Sequence, residues 1–204
     1  MNRIDFFKQN LYGKVLDIGS SHGTLHKEIM KKTNLHVFAL DVVTINEKGE
    51  PVCYPNFKQG MAEENPYKDN VFDCVVMGEM LEHAKDPIKA LQEAHRVLKP
   101  KGLLLISTPN KVSWINRTTK GYEGKAWKTG YGHNIIQTIG GLKELLPMIG
   151  YKIVTIYITE YRLEGNYGSR YEFFPLTQIR RAVTRVLPER LKEQIVLKAE
   201  AIKG

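Results

Sequence analysis

Short apolar runs recur through the first 110 residues, and two stretches of helical periodicity lie among them. Residues 15–18, 36–40 (HVFAL), 72–77 (FDCVVM) and 102–107 (GLLLIS) read as buried strands, with NFKQ (56–59) as a weaker one. Runs this apolar suit parallel strands covered on both faces, because an alternating pattern would mark a face open to water. Residues 24–32 carry Leu25, Ile29 and Met30 on one side of a helix and Lys27, Lys31 and Lys32 on the other. A second helix starts at Asp86-Pro87, where aspartate caps free N–H groups and proline fits the first helical position. Ile88, Leu91, Ala94 and Leu98 share one face, and Lys99-Pro100-Lys101-Gly102 stops the helix. Strands alternating with helices predict an α/β fold, a doubly wound and mostly parallel sheet with helices on both faces. Right-handed crossovers then bring the carboxyl ends of the strands to one edge, where such sheets bind ligands.

The pattern loosens after residue 110. Residues 111–134 are rich in Lys, Gly, Asn, Thr and aromatics and read as a lid loop. A helix (138–149) and a strand (151–158) complete the sheet. From 176, Leu176, Ile179, Val183 and Leu187 recur at helical spacing with Arg180, Arg181 and Arg185 around them, and Pro188 divides this stretch from a second helical one. The expected organisation is a binding domain over 1–160, lid included, followed by a basic, partly helical extension over 161–204.

The formal net charge is +8, and where it sits is informative. Residues 1–110 are neutral, with 14 basic and 14 acidic side chains. The surplus lies in 111–132, five basic against one acidic, and in 175–204, seven against three. A neutral body with two basic patches points to an anionic partner met at particular surfaces. No apolar run approaches the roughly 20 residues that span a bilayer, and MNRIDFFKQN carries no apolar stretch of the secretory kind. A cytoplasmic setting is the expectation. Cys74 lies inside an apolar run far from Cys53, so a buried free thiol is expected, and no Cys/His spacing resembles a metal site.

The turn after the first strand reads VLDIGSSHG (15–23). A strand turning sharply into a helix presents backbone N–H groups to whatever lies above the sheet edge. Residues there must be small if a ligand is to lie against the backbone, and Gly19, Ser20, Ser21 and Gly23 meet that demand. A dinucleotide fingerprint would need glycine where Ser21 and Thr24 stand, which weakens a nicotinamide reading. Asp17, ending the first strand, would repel a pyrophosphate and welcome an ammonium. Asp41, at the tip of the second strand, is placed to accept both hydroxyls of a ribose. S-adenosyl-L-methionine carries both groups.

With these residues in view the chain resembles the class I S-adenosylmethionine-dependent methyltransferases, particularly the ubiquinone-biosynthesis O-methyltransferases and the broad type 11 group. VLDIGSSHG and ALDVV resemble the first two motifs of that family. QGMAEENPYKDNVFDCVVMGEMLEHAKDP is similar to the adenine-side motif, the fourth strand and the helix after it. EAHRVLKPKGLLLISTPN resembles the fifth-strand segment, and GHNIIQTIGGLKELLPMIGYKI the His-containing segment that follows. The resemblance covers roughly residues 10–158. It implies S-adenosyl-L-methionine as cofactor, contacted by Asp17, Gly19, Ser21, Gly23, Asp41, Val42, Met61, Ala62, Gly78 and Glu79. Two positions depart from the family pattern. Ser21 replaces the usual middle glycine, and Met61 stands where relatives often have an acid for the adenine amino group. Adenine recognition would then rest on the backbone near Ala62 and on apolar packing, or on Glu63 as a substitute.

Methyl transfer from a sulfonium is an in-line displacement with an activated leaving group, so the protein's main task is to hold the acceptor in line. An oxygen acceptor also needs its proton removed. His83, then His133, are the candidate bases, and Glu82, Tyr122, Trp127 and Tyr131 are the candidate substrate contacts. The expected function is methyl transfer, O-methylation favoured, to a small or lipid-linked, anionic acceptor. The alternatives are an RNA methyltransferase, suggested by the basic segments, and a cofactor-binding scaffold without catalysis, suggested by Ser21 and Met61. For the basic tail three readings stand: packing on its own domain, lying on an anionic membrane as an amphipathic helix, or contacting nucleic acid or a second copy. It lacks the aromatic interleaving of a single-strand platform.

Overall fold

The computed structural model describes residues 3–20, 24–32, 34–45, 51, 54–110, 113, 138–159, 188 and 194–203. The elements in chain order are α1 (Arg3–Asn10), β1 (Lys14–Ile18), α2 (Thr24–Met30), β2 (His36–Asp41), β3 (Phe57–Gln59), β4 (Phe72–Gly78), α3 (Pro87–Val97), β5 (Leu98–Pro109), α4 (Ile139–Ile149), β6 (Tyr151–Thr159) and β7 (Gln194–Ala201). The sheet runs β3-β2-β1-β4-β5-β7-β6. Strands β1 to β5 pair in parallel, and β7 pairs antiparallel with both β5 and β6. The winding reverses between β1 and β4, so the crevice beyond their carboxyl ends is where such a sheet takes a ligand.

Alternation along the strands sorts the core into two layers. Leu16, Ile18, Leu40, Val75, Met77, Leu104 and Ile106 pack with α3 and α4 on one face. Val15, Val37, Cys74, Val76 and Leu105 pack with Phe6, Phe7 and Leu11 of the α1 segment and Ile29 of α2 on the other. The free thiol of Cys74 is buried, as expected, and desolvation lifts its pKa to about 11. The α3 helix begins as its sequence dictates: Asp86 accepts a hydrogen bond from the Lys89 N–H at 2.9 Å, with Pro87 at the first turn. Strand β5 starts earlier than the apolar run implies. Its ladder jumps from Phe72–Leu98 to Cys74–Leu103, leaving Lys99 to Gly102 as an irregular step, with Lys101 at φ +62°.

The tail requires a correction. The sheet does not close at residue 158, and the stretch after Pro188 is not helical over 194–201: it is β7, the strand between β5 and β6. Lys, Glu, Ala and Leu in QIVLKAEA favour a helix, but the same residues alternate. Ile195, Leu197, Ala199 and Ala201 fill the α3/α4 layer, while Val196 fills the α1/α2 layer. Two neighbouring strands with open ladders and two apolar layers outweigh a weak local propensity. Lys198 also donates to Asn10 Oδ1 at 2.8 Å, tying the strand to α1. The expected boundary at 160 therefore does not separate the tail from the first domain. Leu197→Ala is expected to cost about 2–5 kcal/mol, as truncation of a buried leucine does, read as a lower urea midpoint. An unchanged midpoint would show that β7 does not carry the sheet. The lid at 111–134, apart from Ser113, and the helical stretch at 176–187 lie outside the described residues. Among the described residues no helix is long and apolar enough to cross a membrane.

Candidate functional site

The two acids picked out by the sequence stand side by side at the carboxyl edge. Asp17 pairs with Ala39 and Ile18 with Leu40, so Asp41 lies one step beyond, next to the turn that starts at Gly19. Side-chain alternation from Val15 and Val37 places both acids on the α1/α2 face. Asp17 is 1% exposed and Asp41 7%. The Asp17 Oδ2 lies 3.1 Å from Nδ1 of His26, a fully buried histidine on α2. Asp41 Oδ1 accepts the Val43 N–H at 2.8 Å, which fixes the chain as it leaves β2. The backbone is tied down on both sides, with Gly19 N–H donating to Leu40 O at 2.8 Å and Gly60 N–H to Asp41 O at 2.9 Å. Gly19 sits at φ +79°, and an added Cβ would fall 2.4 Å from Met80 Cγ. Glycine is required there by conformation and by space at once.

Tyr54, just before β3, covers His26: the rings are 4.4 Å apart and inclined by 32°. Burial raises the Tyr54 pKa, and the carboxylates of Asp17 and Asp41 raise it further. One tyrosine thus feels both acids.

A second cluster follows β4. Glu79 adopts φ +54°, a left-handed conformation that a residue with a side chain enters at a cost of order 1 kcal/mol. Its N–H donates to Ser107 O at 2.9 Å, and its Oε1 accepts from Gln194 Nε2 at 3.0 Å and faces Arg3 Nη1 at 3.7 Å. Arg3 also donates to Ser107 Oγ at 3.4 Å. Glu82 is 2% exposed, and Thr108 Oγ1 donates to its Oε2 at 3.2 Å. Burial raises the pKa of both carboxyls. For Glu79 the Arg3 guanidinium pulls it back, whereas for Glu82 the negative charge of Glu79 adds to the rise. Two acids of unlike character therefore stand at one edge: Glu79 beside a cation, and Glu82 buried next to a like charge.

The remaining expected residues divide by position. Ala62 is buried and Met61 partly so, at the start of a 3₁₀ turn (Ala62–Glu64). Glu63, the candidate substitute for the missing acid at Met61, has its Oε1 engaged by the N–H groups of Lys85 and Asp86 at 2.8 and 3.2 Å. Val42 is exposed beside Asp41, and Gly78 closes β4 with Leu25 against its Cα. His83 ends a second 3₁₀ turn (Leu81–His83) with its side chain exposed at the rim. Ser21, Gly23, Tyr122, Trp127, Tyr131 and His133 lie outside the described residues. Sequence reading missed Arg3, His26, Tyr54 and Gln194, which come from four separate segments. The one local signal was a histidine on the strand-facing side of α2, nine residues after Asp17. Among the described residues no cluster of His, Cys, Asp and Glu could hold a metal ion.

A cleft of about 570 Å³ opens elsewhere, among Lys14, His36 and Lys99, where the strands begin. Its acid, Asp73, is taken up by the Lys14 N–H and by Lys99 Nζ, at 2.8 and 2.6 Å. The one carboxylate lining that cleft is thus already paired within the protein.

A family model described as a methyltransferase domain matches residues 2–186. The chain is 33% identical over 138 residues to a ubiquinone biosynthesis O-methyltransferase of Actinobacillus pleuropneumoniae, covering 59% of this chain and 55% of that protein. The chain thus spans about half the length of the curated relatives it matches. A solved S-adenosylmethionine-dependent methyltransferase of Methanosarcina mazei superposes with a TM-score of 0.65 at 18% identity, covering 100% of this chain and 99% of the other. The [4+2]-cyclase SpnF superposes at 0.62 with 19% identity, over 98% of this chain and 81% of its own. The shared fold alone therefore does not dictate the reaction. A family match over most of the sequence, on a sheet wound in this order, means that the chain belongs to the methyltransferase-domain family, in the class I group that uses S-adenosyl-L-methionine.

Proposed function

We propose that the chain transfers a methyl group from S-adenosyl-L-methionine to an oxygen of a small or lipid-linked, anionic acceptor. The observation that carries this reading is the pair of buried carboxylates at the tips of β1 and β2. Buried carboxylates at a ligand-binding sheet edge are strong acceptors, and a ligand with an ammonium at one end and two ribose hydroxyls at the other offers donors to both. These two acceptors fit the cofactor's ammonium and ribose hydroxyls. When bound, the cofactor supplies a methyl group already activated on a sulfonium.

The protein's residues then bind and orient. Asp17 holds the ammonium and Asp41 the ribose, with Val42 beside it. Gly19, Ser21 and Gly23 let the backbone approach, and Met61 and Ala62 pack the adenine. Gly78 and Glu79 border the methionine end. Glu82, Tyr122, Trp127 and Tyr131 border the acceptor, and His83 takes its proton, with His133 as the second candidate. A lipid-linked acceptor is suggested by relatives named for ubiquinone biosynthesis, and an anionic one by the basic segments. The tail at 176–187 is suited to meeting an anionic membrane surface.

The decisive experiment incubates the protein with radiolabelled cofactor and cell extract separated into lipid, RNA, glycan and small-molecule pools. Label is expected in the lipid or small-molecule pool. Label in RNA would replace this acceptor class, and a melting-temperature rise with S-adenosylhomocysteine but no label anywhere would favour a scaffold. His83→Ala is expected to lower turnover about 100-fold, the lower end for a lost general base. Losses of only a few-fold for both His83→Ala and His133→Ala would refute the base assignment.

A further inference from the structure

The Asp17 carboxylate is held by an unusual neighbour. His26 is fully buried, its Nδ1 is 3.1 Å from Asp17 Oδ2, and its Nε2 is buried with no hydrogen-bond partner among the described residues. Leaving a buried imidazole nitrogen unpaired is costly, so the ring is placed for what its other nitrogen does. Tyr54 stacks on that ring, which closes it off from the loop side.

We propose that His26 is a positioning residue for the cofactor's amino-acid end: its Nδ1–H fixes Asp17 Oδ2 and keeps Oδ1 for the ligand's ammonium. The inference rests on the reading that this edge binds S-adenosylmethionine. The tautomer follows from the geometry. With the proton on Nε2, the Nδ1 lone pair would face a carboxylate oxygen at 3.1 Å, and two acceptors would meet. With the proton on Nδ1 the contact is a charge-assisted hydrogen bond, and such bonds are the strong ones. Asp17 sits at the end of a strand among apolar side chains, where no other described side chain bonds it. Without the imidazole its carboxylate would lose both its orientation and its only described hydrogen-bond partner. Tyr54 lies against the ring, so that the segment before β3 helps hold the α2 histidine beside the acid.

The test uses the full chain and two probes in calorimetry. S-adenosylhomocysteine carries the ammonium. 5′-Methylthioadenosine has the same nucleoside and sulfur without it. His26→Leu is expected to weaken the first about tenfold, or 1.4 kcal/mol, and to leave the second unchanged. His26→Asn, which restores an N–H near the Nδ1 position, is expected to recover most of the loss. Equal weakening of both probes, or no rescue by asparagine, would overturn the assignment. If His26→Leu does not fold, nitrogen-15 NMR of the wild-type histidine decides: Nδ1 must carry the proton, and an Nε2–H tautomer refutes the proposal. A wild-type protein that binds neither probe sinks the cofactor reading itself, which is a distinct failure.

Discussion

Asp41→Ala is expected to weaken binding of S-adenosylhomocysteine about 100-fold while leaving the unliganded protein folded. Hydrogen bonds to a charged partner contribute roughly 1.5–3 kcal/mol each, and two ribose hydroxyls on one carboxylate lose more than one such bond at once. At 1.4 kcal/mol per decade, a net loss near 3 kcal/mol gives two decades in the dissociation constant. The carboxylate also accepts the Val43 N–H, so alanine leaves that donor to water as the chain turns out of the sheet. Asp41→Asn separates the two effects. Asparagine keeps one acceptor oxygen for Val43 and turns the other position into a donor, which cannot accept a second ribose hydroxyl. Calorimetry is expected to show about a tenfold loss for asparagine, between wild type and alanine. Wild-type affinity in the alanine variant would mean that the ribose lies elsewhere, and the pairing of Asp17 with Asp41 would lose its meaning.

Much of this edge was legible because it obeys local rules. The parallel strands are apolar on both faces, so they announce themselves as runs, and an acid that ends such a run must lie at the sheet edge. Asp17 and Asp41 follow from that alone, as does the capped start of α3 at Asp86-Pro87. What escaped notice depends on contacts far apart in sequence. Glu79 meets Gln194 across 115 positions, and Arg3 reaches Ser107 across 104. Neither pairing leaves a spacing to read. The case of β7 differs, because its alternation was present in QIVLKAEA, but helix-forming residues masked it. A strand inserted last and antiparallel also escapes any argument built on alternating strands and helices. Glu63 illustrates the converse. Its neighbours suggested an adenine contact, yet its carboxylate serves the N–H groups that precede α3.

Strain and burial converge after β4. Glu79 takes a left-handed backbone conformation, and Glu82 is buried three residues on with no ion pair among the described residues. Structures retain such costs where the surrounding framework fixes them for a purpose. Here the framework is the Ser107–Thr108 end of β5, which accepts the Glu79 N–H and donates to Glu82.

Glu82→Gln is accordingly expected to stabilise the protein in a pH-dependent way. Burial first, and the Glu79 charge second, hold the folded pKa of Glu82 well above its ordinary value. Below the ordinary carboxylate range both folded and unfolded chains keep the proton, and the wild type carries no penalty. As pH rises through that range the unfolded chain releases its proton while the folded one retains it. Wild-type stability then falls by about 1.4 kcal/mol per pH unit, until the folded group also ionises. Glutamine has no proton to release, keeps the shape, and can still accept from Thr108. The two proteins should melt together near pH 4, and the variant should melt progressively higher toward pH 8, by roughly 2–4 °C for each kcal/mol recovered in a chain of this size. The same change should slow turnover, because a group kept at a stability cost beside the proposed acceptor is one that activity uses. A melting difference that is flat with pH, or of opposite sign at pH 8, would mean that Glu82 is ionised and paired in the folded state. The acid standing ready for the acceptor would then be Glu79 with Arg3.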